Sequence, residues 1–411
     1  MEVSKSHSFY FRRRLFRNKP AIFGLCIIAL SMLVTLMGYY VMPDDSPNAN
    51  EGAVQIQKKT PGFSVKYITL NKNIEIAKVG FFEKLFLGQE KEVTFMPIDT
   101  FWFEGADLHY IQYGKLRRKD DISLVHAMRN IFVGDSKKLA ESHGANYLKT
   151  GNIIQYLDLN ENIQTIGLED LKKEFISTHV KKQTYWLGTD KVGRDMLSRL
   201  LFGTRISLSI GFISVLISLL VGVSLGALAG YFGGFYDKFI LWLMTVVWSI
   251  PSIMLVIAIS LALQSKGIWV SFVAVGLTTW VEVARVVRGQ IMGLKEKSYI
   301  EAAKALGLGN IRIIWKHILP NLTGPIIVIA TSNFANAILV EAGLSFLGLG
   351  VQPPMPSWGM MINEGFHSIG TRNSWHLIVL PSACICLMVL AFNLLGNGLR
   401  DAYDPQTKVK V

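Results

Sequence analysis

ISLSIGFISVLISLLVGVSLGALAGYFGGFY, residues 206–236, contains no Asp, Glu, Lys or Arg. A helix crosses the hydrocarbon core of a bilayer with about 20 apolar residues, so this stretch reads as a membrane span. The same test applied outward finds four more uncharged runs, at 20–43, 239–265, 318–340 and 373–399. A sixth candidate starts after Lys266 and reaches Val281, and it spans only by accepting Glu282 and Arg285 near one end. Composition agrees. Of 411 residues, 50% are hydrophobic and 18% charged, with a mean hydropathy of +0.34, which is too apolar for an ordinary soluble chain.

The formal net charge of +12 fits nucleic acid, an anionic surface or a topological bias. Six spans leave both termini on one side. That side holds six Lys and Arg in 1–19, one in 237–238, seven in 282–317 and three in 400–411, while the short loops opposite hold only Lys266 and Arg372. The long segment 44–186 has nineteen basic and nineteen acidic residues; it is neutral, and long translocated segments do not count in this comparison. The bias places both termini in the cytoplasm. Nucleic-acid binding is set aside, because Arg12, Arg13, Arg14 and Arg17 immediately precede a span and no groove-reading motif accompanies them. The first apolar run is longer than a secretory h-region and no small-x-small site follows it, so it reads as an uncleaved anchor. Cys26, Cys384 and Cys386 all lie in spans and the long segment has none, which rules out a disulfide framework there.

The expected architecture is an all-α polytopic membrane protein of six transmembrane helices, with a small α+β extracytoplasmic insertion between helices 1 and 2. Its divisions are a cytoplasmic N-terminus 1–19, transmembrane helix 1 at 20–43, the insertion 44–186, an interfacial segment 187–205, a transmembrane core 206–399 containing a cytoplasmic loop 285–317, and a cytoplasmic C-terminus 400–411. Within the insertion, Ser64 to Leu70 and Glu92 to Ile98 alternate as strands do, and Leu168 to Lys182 is helix-like. Phe101, Trp102 and Phe103 read as core of this domain rather than as a docking patch. Gly193-Arg194-Asp195 precedes Met196, Leu197, Leu200 and Leu201, an amphipathic set expected to lie as a helix at the outer interface. Pro251, Pro325 and Pro381 interrupt the third, fifth and sixth spans.

Chemistry is sparse. Glu282 and Glu341 are the only carboxylates in the spans, too few for a proton or sodium relay. The sole Gly-Lys pair is Gly114-Lys115, followed by Leu116 and with His109 where a phosphate loop needs its first glycine, so no Walker A loop exists. The eight histidines show no metal-ligand or triad spacing. No catalytic residue and no metal site are assigned.

KEKSYIEAAKALGLGNIRIIWKHILPN, residues 295–321, is the informative loop. Ser298 and Glu301 fit a capping box, and Gly307 suits a left-handed stop. The enclosed helix has about two turns, which is marginal in water unless something packs against it. Ala302, Ala303 and Ala305 would admit a close partner; a lipid-headgroup resting place is the plainer alternative.

Glu301-Ala302-Ala303, Gly307 and Ile318-Leu319-Pro320 resemble the EAA motif of ATP-binding-cassette importer permeases. LGTDKVGRDMLSRLLFGTRISL (187–208), AGYFGGFYDK (229–238) and EAGLSFLGLGVQPPMPSWG (341–359) are similar to segments of the second membrane subunit of dipeptide and oligopeptide importers. The resemblance covers residues 185–405 almost continuously, together with the Arg-rich start and the first span. It implies a type I importer permease fold and a heterodimer with a second permease subunit. It also implies two cytoplasmic ATPase subunits, an extracytoplasmic solute-binding protein, and a peptide substrate moved through the lipid bilayer of a prokaryotic plasma (inner) membrane. ATP and Mg would sit on the ATPases, and this chain would bind no cofactor. By position, Glu301, Ala302, Ala303, Gly307, Ile318, Leu319 and Pro320 would couple to the ATPase, while Gly193, Arg194, Asp195, Glu341, Pro353 and Pro354 would border the interface or outer gate. The insertion far exceeds the usual length in this family, and docking of the binding protein is the first role considered for it. Relatives that carry nickel or another small solute remain an alternative. From other classes, so do an ATP-independent channel or carrier and a membrane-anchored interaction protein.

Overall fold

In a computed structural model the described residues are 7–77, 79–114, 116–136, 138–139, 146–370 and 374–403. Lys115, Arg372 and the remainder of both termini, 1–6 and 404–411, lie outside them. In chain order the elements are α1 His7–Arg17, α2 Lys19–Met37, β1 Phe63–Asn71, α3 Phe81–Leu87, β2 Val93–Glu104, β3 Asp107–Gln112, β4 Lys119–Ser123, α4 Leu124–Met128, β5 Tyr147–Thr150, β6 Ile153–Leu157, β7 Ile163–Gly167, α5 Leu168–Glu174 and β8 Val180–Tyr185. Helices alone follow: α6 Met196–Phe232, α7 Gly234–Ser249, α8 Ser252–Ala262, α9 Ile268–Leu294, α10 Ser298–Ala305, α11 Asn310–Ile313, α12 Thr323–Phe346, α13 Trp358–Phe366 and α14 His376–Tyr403. Two compact units result, one drawn from Met1–Leu36, Leu200–Phe366 and Ile378–Val411, the other from Met37–Arg199 and His367–Leu377.

The helical unit holds five helices long and apolar enough to span a bilayer, and α7 with α8 makes a sixth if the pair is one broken span. The break is sharp: the two helices bend by 94° at Ile250-Pro251. Proline lacks the amide the helix would use there and restricts the residue before it to extended backbone, and Ile250 takes ψ 128°. The third span is therefore two short helices. The fourth is longer than its uncharged run, since α9 continues through Glu282, Arg285 and Arg288 to Leu294. Arg288 is paired with Asp237 of α7 at 2.5 and 2.8 Å, and Arg285 lies 3.4 Å over the Trp248 ring, so neither cation enters hydrocarbon alone. No separate interfacial helix forms after Gly193-Arg194-Asp195: Met196, Leu197, Leu200 and Leu201 are the start of α6, a continuous helix of 37 residues. At 1.5 Å per residue that is roughly 55 Å, well beyond the bilayer core.

Helices pack here through glycine. Gly222, Gly226 and Gly230 recur every fourth residue on α6, and a Cβ on each would meet α9: the Trp280 carbonyl at 2.7 Å, the Ala284 carbonyl at 2.6 Å and the Arg288 carbonyl at 2.9 Å. Small residues at this spacing let two backbones approach where lipid provides no hydrophobic drive. The same device joins α2 to α14, where a Cβ on Gly24 would stand 2.4 Å from the Ala391 carbonyl. Phe334 of α12 stacks on Phe392 of α14 at 4.0 Å.

The second unit is the expected small α+β insertion. Five antiparallel strands run β4-β3-β2-β1-β8 and three run β5-β6-β7. Lys66 stands opposite both Ile98 and Lys182. One core of Ile68, Ile98, Leu108, Leu124, Ile154, Leu171 and Phe175 fills it. The aromatic trio splits by strand alternation: Phe101 and Phe103 pack on that core, while Trp102 points the other way, stacked on His109 and donating to Glu104. The helix-like reading of 168–182 holds only to Glu174. A π-turn from Phe175 to His179 follows, and Val180–Tyr185 then pairs with β1 as a strand, because strand pairing outweighs local propensity.

The glycine contact gives a direct test. Gly226→Ala should cost the purified protein about 1–3 kcal/mol of stability through overpacking, read as a lowered thermal midpoint. Gly289→Ala, whose Cβ would meet nothing within 4 Å, should leave the midpoint unchanged or raise it.

Candidate functional site

The loop after α9 folds into α10, α11, a π-turn Ile314–Ile318 and a tight turn Leu319–Leu322 leading into α12. The start of α10 differs from the expected capping box. Lys297 is the cap and Ser298 is already helical, with no side-chain cap bond; the Ile300 and Glu301 amides are taken by the Lys297 carbonyl at 2.9 and 3.2 Å. The stop is as expected. Gly307 sits at φ +75°, its amide bonds to the Lys304 carbonyl at 2.9 Å, and the Leu308 amide bonds back to Ala303 at 3.1 Å.

This short helix is fixed from one side. Ile300 and Ala303 are buried in a cluster with Ile313, Ile314, Ile318 and Leu322, against Val283, Val287 and Ile291 of α9 and Ala227 of α6. Tyr231 near the end of α6 reinforces the attachment by donating to Asn310 Oδ1 at 2.9 Å, and Lys304 Nζ lies 5.6 Å over its ring. The opposite side is open: Glu301, Ala302, Ala305 and Leu306 are exposed. The alanines thus divide, with Ala303 facing inward and Ala302 and Ala305 outward. Ile318 is buried, Leu319 half-buried and Pro320 exposed. Following α10, at α11 and the π-turn, lies a largely apolar groove of about 670 Å³ lined by Phe232, Gly309, Asn310, Ile311, Arg312, Trp315 and Lys316. Sequence reading missed this groove, although Ile311 and Trp315 four apart in a helical turn were its signal.

The other motif residues lie in two different places. Glu341 is buried on α12 and its Oε1 accepts the Ser345 hydroxyl at 2.7 Å; Ser345 in turn accepts the Val351 amide at 3.1 Å. The chain then folds back so that α13 packs on α12, with a Cβ on Gly359 only 2.6 Å from Ala342 Cα. Pro353 and Pro354 are exposed in the connecting loop. Gly193, Arg194 and Asp195 belong to a tight loop at 187–195 that Asp190 closes. Asp190 Oδ1 accepts the Val192 and Arg194 amides at 2.9 Å, and its Oδ2 meets Arg194 Nε at 2.6 Å and Arg199 Nε at 3.3 Å. Gly193 has φ +85°, and a Cβ there would stand on the Ala53 carbonyl. Asp195 accepts the Ser198 amide and hydroxyl at 2.8 and 2.6 Å, and the Asp44 amide donates to the same hydroxyl at 2.9 Å. Burial pushes the Asp195 carboxyl above its ordinary range, the Ser198 bonds work against that, and Asp44 adds to it.

Residues 222–409 match the model of the binding-protein-dependent transport system inner membrane component, and residues 9–55 match the N-terminal TM domain of oligopeptide transport permease C. Over 224 residues, 54% of this chain, it is 45% identical to the glutathione transport system permease protein GsiD of Pectobacterium atrosepticum, covering 73% of that protein. It is 40% identical to the oligopeptide transport system permease protein OppC of Bacillus subtilis, again over 54% of this chain and covering 72% of the relative. The chain belongs to this permease family. Among solved structures, an inward-facing form of the MetNI methionine ABC transporter aligns with 51% of this chain and 98% of its own, at 18% identity and a TM-score of 0.43. The permease is a membrane protein whose described helices include five to six spans.

Asp190 carries the buried cations of the 187–199 loop. Asp190→Asn removes a carboxylate partner of Arg194 and Arg199, both buried, and breaking a buried pair in this way costs about 3–5 kcal/mol. Thermal unfolding of the purified permease should show that loss, while Lys173→Ala, at an exposed position of α5, should leave the midpoint at the parent value.

Proposed function

We propose that this permease forms one half of the translocation pathway of an ATP-driven importer of peptides, dipeptides or oligopeptides, with ATP and Mg bound on separate cytoplasmic ATPase subunits. A second permease subunit completes the pathway and an extracytoplasmic solute-binding protein delivers the peptide. Likeness to permeases named for glutathione, oligopeptide and dipeptide transport supports the substrate class. The observation that carries the mechanism is α10, anchored on its inner face by Ile300 and Ala303 and open on its outer face at Glu301, Ala302 and Ala305. A two-turn helix with one face fixed and the other free passes a push to α6 and α9 as a rigid body, as hinge and rocking transitions require. In this reading the outer face and the adjoining Phe232–Trp315 groove receive the ATPase, and Gly307, Ile318, Leu319 and Pro320 hold the shape of the loop. Both termini and this loop face the cytoplasm, following the basic bias of 1–19 and 282–317.

Gly307 separates shape from bulk, since a Cβ there would meet nothing within 4 Å and only its left-handed backbone resists substitution. Gly307→Val should therefore abolish uptake and release the co-purifying ATPases while membrane insertion persists. Gly307→Asn, which tolerates that conformation, should keep most of both. Full peptide uptake by the valine variant would overturn the coupling role.

A further inference from the structure

The insertion carries a helix whose composition suits neither its own core nor water. Helix α3, FFEKLFL, buries none of its residues; Phe81, Phe82, Phe86 and Leu87 are 63%, 74%, 55% and 63% exposed. Its position along the chain says what covers it. The first span extends from Lys19 to Tyr40, roughly 33 Å at 1.5 Å per residue, which is the thickness of the bilayer core, so Tyr40 marks the membrane boundary. Helix α3 packs on that terminal turn. Phe81 stacks on Tyr40 with ring centroids 5.1 Å apart, a Cβ on Gly38 would meet the Leu85 carbonyl, and Lys84 pairs with Asp45 at 2.8 Å. Met37, Tyr40 and Val41 are themselves exposed, so apolar surface flanks α3 on the terminal turn it packs against.

We propose that α3 is a membrane-interface anchor: Phe82, Phe86 and Leu87 enter the headgroup–acyl boundary on the side of the bilayer that carries the insertion. Phe82 and Phe86, four apart, share one side of the helix, Leu87 extends the apolar arc by about 100°, and Glu83 falls within that arc. A carboxylate there sets the depth, keeping the helix at the boundary with its charge among headgroups rather than below them. Lys84, on the other side, is held by Asp45 and lies 5.7 Å from the Tyr40 ring, which orients the apolar arc away from the insertion. The insertion would then be fixed to the bilayer at a second point, beside the end of the first span, whichever solute the permease carries.

The test uses the full-length chain, one copy per lipid nanodisc of phosphatidylcholine and phosphatidylglycerol, with Cys26, Cys384 and Cys386 replaced by serine. Spin labels placed singly by Phe82→Cys and Leu87→Cys are compared with Leu116→Cys, an insertion site 95% exposed. Two label sites keep the result readable if one variant fails to insert. Collisions with dissolved oxygen should be several-fold more frequent at 82 and 87 than at 116, and collisions with a water-soluble nickel chelate several-fold rarer. Nickel accessibility equal to that at 116 would place α3 in water and overturn the proposal. Shielding from both probes would place it against protein and overturn it equally.

Discussion

The permease half of this structure depends on the distance between two backbones. Gly222, Gly226 and Gly230 let α6 lie against the carbonyls of Trp280, Ala284 and Arg288 with no room for a Cβ between them. In lipid this contact is made by dispersion and weak backbone interactions, since apolar side chains gain little by leaving acyl chains for one another. What is built on it is the loop that follows α9. Val283, Val287 and Ile291 of α9 also meet the glycines, at 2.5, 3.0 and 3.0 Å from a Cβ on Gly222, Gly226 and Gly230, and they share one buried cluster with Ala227 of α6 and with Ile300, Ala303, Ile313 and Ile318. A separation of α6 from α9 would therefore tilt α10 as well as loosen the bundle. The same geometry explains why α10 can be short: two turns that water would not sustain are held by a buried cluster and a glycine stop.

Charge is handled by a different rule in each unit. In the helical unit cations near hydrocarbon are met individually, the half-buried Arg288 by Asp237 and the exposed Arg285 by the Trp248 face. In the 187–199 loop the ions are fully buried, with Arg199 at 0% and Asp190 at 3% exposure. Buried pairs of this kind contribute little net stability but penalise every arrangement that leaves one partner alone. Asp190 also closes its own loop through two backbone amides, and the Ser198 hydroxyl bridges Asp195 to the Asp44 amide. The carboxylates thereby fix where the chain leaving the first span meets the chain entering α6.

Much of this was legible because membrane physics writes long signals. Uncharged runs gave the spans, loop charge suggested the orientation, and the left-handed Gly307 was visible as a glycine after a two-turn helix. Short-range detail was less legible. Ser298 and Glu301 have the spacing of a capping box, but the helix begins one residue earlier than that box requires, at a register set by burying Ile300 and Ala303. Met196 to Leu201 have an amphipathic pattern, yet their amides continue into α6 without a break, so the pattern reflects packing within a helix and not a surface-lying segment. The glycines at 222, 226 and 230 were in plain sight; their four-residue spacing becomes informative only when α9 is known to lie against that face. The Phe232–Trp315 groove joins residues more than 80 positions apart, from two separately quoted segments, and nothing along the chain shows that the two meet.

The insertion was the least legible part, and its construction explains why a permease can carry it. The two family matches end at residue 55 and resume at 222, so the sheets lie in chain that neither accounts for. Their core is made entirely from residues between Ile68 and Phe175, with Val180 packed on it, and asks nothing of the spans. Entry and exit are adjacent: Phe63 at the start of β1 stands opposite Tyr185 at the end of β8, and the Gly62 amide bonds to the Tyr185 carbonyl at 3.0 Å. A domain whose ends meet as neighbouring strands closes a loop no wider than a short turn would, so the cost of its length falls on its own core rather than on the bundle. Such a domain can be gained or lost without repacking α6 against α9.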